Sequence, residues 1–241
     1  MGVFMFARRC GVFVAAVAVG VGCAACGGSP AAGQAPASAA AAALTADQVG
    51  AAVMAAAHGA SAVHVRGTVK DGSTTMKIDV QLNKDSAAGT IIQGDTTIPV
   101  RRVGSVYYAQ MTDGVITMAG LSPKTMPGPL MRDKWVSSQS KLGADLVEGS
   151  KSFLSYDEFV ANTAGQIRTA SLTAAGSDTV NGVPVLVFRQ SDGSTADVTT
   201  AAPHYLVRMA DDTGGFDFSG WDQQVAVAAP SAGELYSGPG A

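Results

Sequence analysis

The residue types that do covalent and metal chemistry are few in this chain and unevenly placed. Its three cysteines are Cys10, Cys23 and Cys26, all near the N-terminus. Everything after Cys26 is free of cysteine, so the body offers no disulfide framework, no thiolate metal site and no cysteine nucleophile. The three histidines, His58, His64 and His204, stand at no metal-ligand spacing and read as surface or structural residues. There is no G-x-S-x-G elbow, no P-loop and no G-x-G-x-x-G following a strand. Ser138-Gln139-Ser140-Lys141 matches the S-x-x-K acylating pair, but neither of its usual companions, S-D-N and K-T-G, accompanies it. Asp71, Asp85, Asp192, Asp211 and Asp212 fall in turn segments, where aspartate serves the turn first. The expectation is a binding protein, with no catalytic residue, no metal and no cofactor.

Where reactive side chains do gather is at the N-terminus. Arg8 and Arg9 precede an uncharged apolar run from Gly11 to Gly22. As a helix that run spans about 18 Å, against roughly 30 Å of hydrocarbon, so it reads as a secretory signal and not as a membrane span. It ends in Gly20-Val21-Gly22-Cys23, with Cys26 three residues on. Small residues before a cysteine are similar to the bacterial lipobox, where the peptide is cut ahead of a cysteine carrying a diacylglyceryl group. Leu is usual three places before that cysteine. Gly20 there suits the pattern better than Cys23 does, which favours Cys23 as the lipidated residue, with Cys26 as the alternative. Residues 1–22 are thus expected to be a signal peptide, and 23–44 a lipidated, Ala/Gly/Pro-rich tether too poor in apolar surface to fold. Residues 45–237 remain as one domain. The chain is expected to be exported and held by lipid on the outer face of the cell membrane.

Composition narrows the partners. Charged residues make up 15% of the chain, well below the usual quarter, and Lys+Arg 16 against Asp+Glu 19 gives a net charge of −3. No basic excess exists to neutralise phosphates, so nucleic acid is excluded as a partner class. An acidic body also makes a poor polybasic membrane binder, which leaves anchoring to the lipid.

The elements follow from periodicity. Thr45 and Gln48 have capping-box spacing, and Val49, Val53, Met54 and Ala57 recur as one helical face before Gly59. The period then becomes two. Val63, Val65 and Val69 alternate with His64, Arg66 and Thr68; after Asp71-Gly72, Met76, Ile78, Val80 and Leu82 alternate with Lys77, Asp79 and Gln81. Further strands are expected at about 87–93, 95–103, 105–111 and 134–138. A second helix is expected over 156–165 with Ser155 and Glu158 as its capping box. Strands at 168–176, 183–190, 194–200, 204–211, 215–220 and 223–228 complete the set, with Asn181-Gly182 and Asp192-Gly193 as hairpin turns. The fold class is α+β: a large curved antiparallel sheet, a half-barrel, with a few helices on its concave face.

Such a sheet has more apolar face than two helices cover, so it must close, pair or enclose something. The expected site is an apolar cavity between sheet and helices walled by Val63, Val65, Met76, Ile78, Val80 and Leu82. The methionine-rich segment Met111–Met131 holds Met111, Met118, Leu121 and Met126, and is expected at the rim, where adaptable thioethers tolerate varied acyl chains.

This layout resembles the LppX/LprG/LprA/LprF lipoproteins of mycobacteria and other actinobacteria, which share the half-barrel of the LolA/LolB lipoprotein carriers. The resemblance covers about residues 45–237. It rests on the opening helix through Ala62-Val63-His64-Val65-Arg66-Gly67, on Arg102-Val103-Gly104-Ser105-Val106-Tyr107 and on Lys134-Trp135-Val136. Thr179-Val180-Asn181-Gly182-Val183-Pro184-Val185 and Pro203-His204-Tyr205-Leu206-Val207-Arg208 extend it. It implies a membrane-anchored envelope lipoprotein that carries or presents acylated lipids or glycolipids, with an envelope lipid exporter as a further partner and no catalytic residues. A protein of this fold with a filled core, acting through protein partners, is the alternative. An envelope esterase or acyltransferase, marked by a Ser/His/carboxylate cluster at one mouth, is the third reading.

Overall fold

The computed structural model describes residues 44–71, 74–169 and 171–239. The expected signal peptide (1–22), Cys23, Cys26 and the rest of the expected tether up to residue 43 lie outside these residues. Helix α1 (Ala46–Gly59) starts as its spacing predicts: the Thr45 amide donates to Gln48 Oε1 at 3.1 Å, closing the capping box. Val49, Val53 and Ala57 form its buried stripe, with Met54 partly buried beside them.

From there the chain makes a long meander: β1 (Ala62–Asp71), β2 (Thr74–Asn83), β3 (Ser86–Gln93), β4 (Thr96–Val103), β5 (Val106–Gln110) and β6 (Trp135–Ser137). A helical stretch follows, α4 (Lys141–Val147), a 3-10 turn at Glu148–Ser150, α5 (Lys151–Leu154) and α6 (Tyr156–Thr169); α2 (Asp113–Met118) and α3 (Gly128–Met131) precede it between β5 and β6. The second meander is β7 (Leu172–Val180), β8 (Val183–Gln190), β9 (Thr195–Thr199), β10 (Leu206–Asp211) and β11 (Gly214–Ser219). Strand order is β6-β5-β4-β3-β2-β1-β11-β10-β9-β8-β7, one open antiparallel sheet of eleven strands. Each meander runs to its own edge, and the sequence-distant strands β1 and β11 join at the centre. The segment from α4 to α6 must therefore carry the chain from one edge to the other across one face.

The register agrees with the predicted alternation. Val63 faces Leu82 and Val65 faces Val80 across β1–β2. Val63, Val65, Ile78, Val80 and Leu82 are buried in the same cluster as α1 and α6, whereas Lys77 is exposed and Asp79 and Gln81 half-exposed. Asn181 and Gly182 both adopt positive φ (50° and 82°), the requirement of a type I′ hairpin turn. A Cβ on Gly67 would fall 2.2 Å from the Phe216 ring. That ring fills the space and meets Phe159 of α6 edge-on at 5.9 Å, seating the helix on the sheet.

Three expectations need correction. Helix α6 runs on to Thr169, so β7 begins at Leu172 and not at 168. Four short helices, α2 to α5, were not expected. At two or fewer turns they lack a readable period and depend on tertiary packing, although Thr112 and Ser140 cap α2 and α4 by accepting from Val115 N (3.3 Å) and Gly143 N (3.1 Å). Residues 223–228 form no strand. This segment is held by side chains of the sheet: Gln81 Nε2 donates to Gln223 O (3.0 Å), Asn83 Nδ2 to Val225 O (2.8 Å) and Arg101 to Ala228 O (3.5 Å). It ends at Leu235, which bridges Trp135 and so covers the short edge strand β6. Its Val225 and Val227 mimic strand alternation while the backbone crosses the sheet.

Candidate functional site

The interior between sheet and helices is one continuous apolar cluster. Inward residues of β1 to β4 meet Val49 and Val53 of α1 and Phe159, Val160, Ala164 and Ile167 of α6. The helices are tied to each other by Tyr156, whose hydroxyl donates to Ala57 O at 2.6 Å. Burial pushes that hydroxyl's pKa well up, so it stays a donor throughout the physiological range.

The predicted wall residues come together. Val63, Val65, Ile78, Val80, Leu82 and Met111 are at most 2% exposed, and Met76 and Leu121 pack against them half-buried. The predicted rim divides. Met111 and Met131 are core residues, while Met118 and Met126 are 45% and 67% exposed and lie outside the cluster. Met118 is the last residue of α2 and Met126 sits in the loop before α3, so neither backbone aims its side chain inward.

Around the interior, one polar feature closes an end. Arg102, on the inward side of β4 and 7% exposed, donates to Leu154 O (2.7 Å), Asn83 O (3.0 Å), Lys84 O (3.0 Å) and Gly104 O (3.2 Å). Its guanidinium fastens α5 to the turns that follow β2 and β4. Sequence reading placed Arg102 only within a spacing pattern; its interruption of the Ile98, Val100 alternation was the available signal.

The two concavities that stand out among the described residues lie on the opposite face. One, of about 550 Å³, is lined by Arg66, Lys77, Asp79, Arg208 and Asp217 over the backbone of Gly67 and Gly215. Its arginines are paired, Arg66 with Asp79 and Arg208 with Asp217, both at 2.6 Å. The other, of about 560 Å³, lies beside His64, Ser219 and Gln223. The inward side chains of the sheet pack against those of α1 and α6 in one buried cluster.

Of the remaining sequence candidates, Ser138 and His204 have structural partners. Ser138 of the S-x-x-K match accepts from Tyr107 N at 3.1 Å and precedes α4, so Ser138 and Lys141 do not share a helical turn. His58 ends α1, and His204 Nδ1 lies 3.0 Å from Thr199 O. Among the described residues no three of His, Cys, Asp and Glu converge as a metal site, and no helix is long and apolar enough to cross a membrane.

No protein-family model and no curated protein matches the sequence. Solved structures do. LprF from Mycobacterium bovis superposes with a TM-score of 0.53 at 17% identity, covering 78% of this chain and 97% of that one. MucB in complex with MucA(peri) matches at a TM-score of 0.31 and 15% identity over 78% of this chain and 58% of that one, too distant to bear on the argument. The protein therefore has an LppX/LprF-like fold, an α+β half-barrel with an open antiparallel sheet and helices on one face.

Proposed function

We propose that the protein is a membrane-anchored envelope lipoprotein that binds acylated lipids or glycolipids between the sheet and α1/α6. The observation that carries this reading is the continuous apolar interior, walled by Val63, Val65, Ile78, Val80 and Leu82, on a fold shared with LprF. Loading displaces helical side chains from the sheet, and the acyl chain takes their place against the same wall. Each methylene that moves from water to this interior contributes about 0.8 kcal/mol, so affinity needs no conspicuous polar motif. A lipid exporter of the envelope is the partner that this role calls for. Titration with a dansylated fatty acid tests the reading. A saturable, blue-shifted signal at about one probe per protein is the expected result, and a non-saturable signal equal to that of an unrelated protein would contradict it. A dry, permanently filled core would instead favour action through protein partners.

The anchor is proposed on the lipobox-like segment. The native protein should partition into detergent and incorporate a fatty-acid label, and the Cys23→Ala/Cys26→Ala double variant should appear in the soluble fraction. Retention of that variant in the membrane at the wild-type level would overturn the anchor. The single variants distinguish Cys23 from Cys26.

A further inference from the structure

On the face of the sheet away from the helices, Ser219, His64 and Asp79 form a hydrogen-bonded row. His64 Nε2 lies 2.7 Å from Asp79 Oδ1, and Ser219 Oγ lies 3.4 Å from His64 Nδ1. Strand pairing produces this row: Ser219 sits opposite His64 in β1–β11, and Asp79 sits two pairs along in β1–β2, opposite Arg66 and on the same face. Arg66 Nε donates to Asp79 Oδ2 at 2.8 Å and fixes the carboxylate from its other side. Partial burial works against ionisation of Asp79, but the His64 hydrogen bond and the Arg66 guanidinium together hold its carboxyl below its ordinary value. Asp79 is therefore an acceptor only at neutral pH. It assigns the imidazole proton to Nε2, which leaves the Nδ1 lone pair for the Ser219 hydroxyl. This is the polarity of a nucleophile, a base and an orienting carboxylate.

The row opens into the concavity of about 560 Å³, where Ala88, Gly89 and Gly220 leave room and Val225 supplies an apolar wall. Gln223 lines the same space, and its side-chain amide makes no hydrogen bond among the described residues. A developing oxyanion needs a donor beside it, and the Gln223 amide is a side-chain donor lining this space.

We propose that Ser219 is a nucleophile for small carboxylic esters, with His64 as its base and Asp79 as the group that orients His64. Ser219 Oγ adds to the ester carbonyl as its proton passes to His64 Nδ1. The C–O bond to the alcohol then breaks, and His64 returns the proton to the departing alkoxide. Water, deprotonated by His64, cleaves the resulting Ser219 ester and releases the carboxylic acid, so one ester and one water give one acid and one alcohol. The site lies on the opposite side of the sheet from the lipid-binding interior and does not depend on it.

The test uses p-nitrophenyl butyrate and a fluorophosphonate on the purified full chain. Ser219→Ala and His64→Gln should each lower kcat/KM by roughly a hundredfold or more, and Asp79→Asn by at least about tenfold. The fluorophosphonate should add once, on Ser219. Ser219 is exposed, so its alanine variant is expected to melt with the wild type. Equal butyrate turnover by wild type and Ser219→Ala, or no phosphonate adduct on Ser219, would overturn the proposal.

Discussion

Replacing Arg102 with alanine is expected to cost about 3 kcal/mol and to lower the thermal midpoint by roughly 6–12 °C for a domain of this size. The guanidinium is nearly enclosed and serves four carbonyl oxygens, those of Asn83, Lys84, Gly104 and Leu154. Truncation strands all four and leaves a void where the side chain stood. Arg102→Lys should recover only part of the loss, because a single ammonium cannot reach acceptors arranged around a planar fork. The functional consequence follows from Leu154. With its carbonyl released, α5 loses its tie to the turn at Lys84, and the helices that cover the interior are held less firmly. The alanine variant should therefore exchange a dansylated fatty acid faster than the wild type. A midpoint within about 2 °C of wild type would show that the four contacts are dispensable.

The second large effect is expected at Ile78. Its side chain is 2% exposed at the centre of the proposed wall, facing Ile91 of β3 and Gly67 of β1. Tryptophan there overfills a packed core, at about 1–3 kcal/mol. It also takes space that an acyl chain would enter, so the same 1–3 kcal/mol set against lipid entry lowers binding roughly 5–150-fold. Lys77→Trp is the matched control. One residue along a strand places the new ring on the opposite face, so lipid binding should remain at the wild-type level. Equal losses in the two variants would remove the interior as the binding site.

The contrast between Ile78 and Lys77 was legible in the sequence because period-two alternation survives wherever one face is buried. The same holds for α1, whose cap and stripe are local signals, and for the Asn181-Gly182 turn. What could not be read depends on long-range pairing. Ser219 and His64 are 155 residues apart and meet only because β1 and β11 join the two meanders. Arg102 breaks the apolar row of Ile98 and Val100, but nothing local shows that Leu154 returns above it. Met118 and Met126 share their composition with Met111 and Met131, yet loop and helix-end geometry turns them to solvent. The 223–228 segment misled for the converse reason: its alternation is real, but every strand it crosses already has its neighbours.

Lipid extraction tests the central claim most directly. The protein, purified from its native host, is extracted with organic solvent and the extract analysed by mass spectrometry beside Ile78→Trp and Lys77→Trp. Beyond the covalent anchor proposed at Cys23 or Cys26, the account predicts about one acylated lipid per protein in the wild type and in Lys77→Trp, and a loss of roughly tenfold or more in Ile78→Trp. Equal traces of lipid in all three would contradict it.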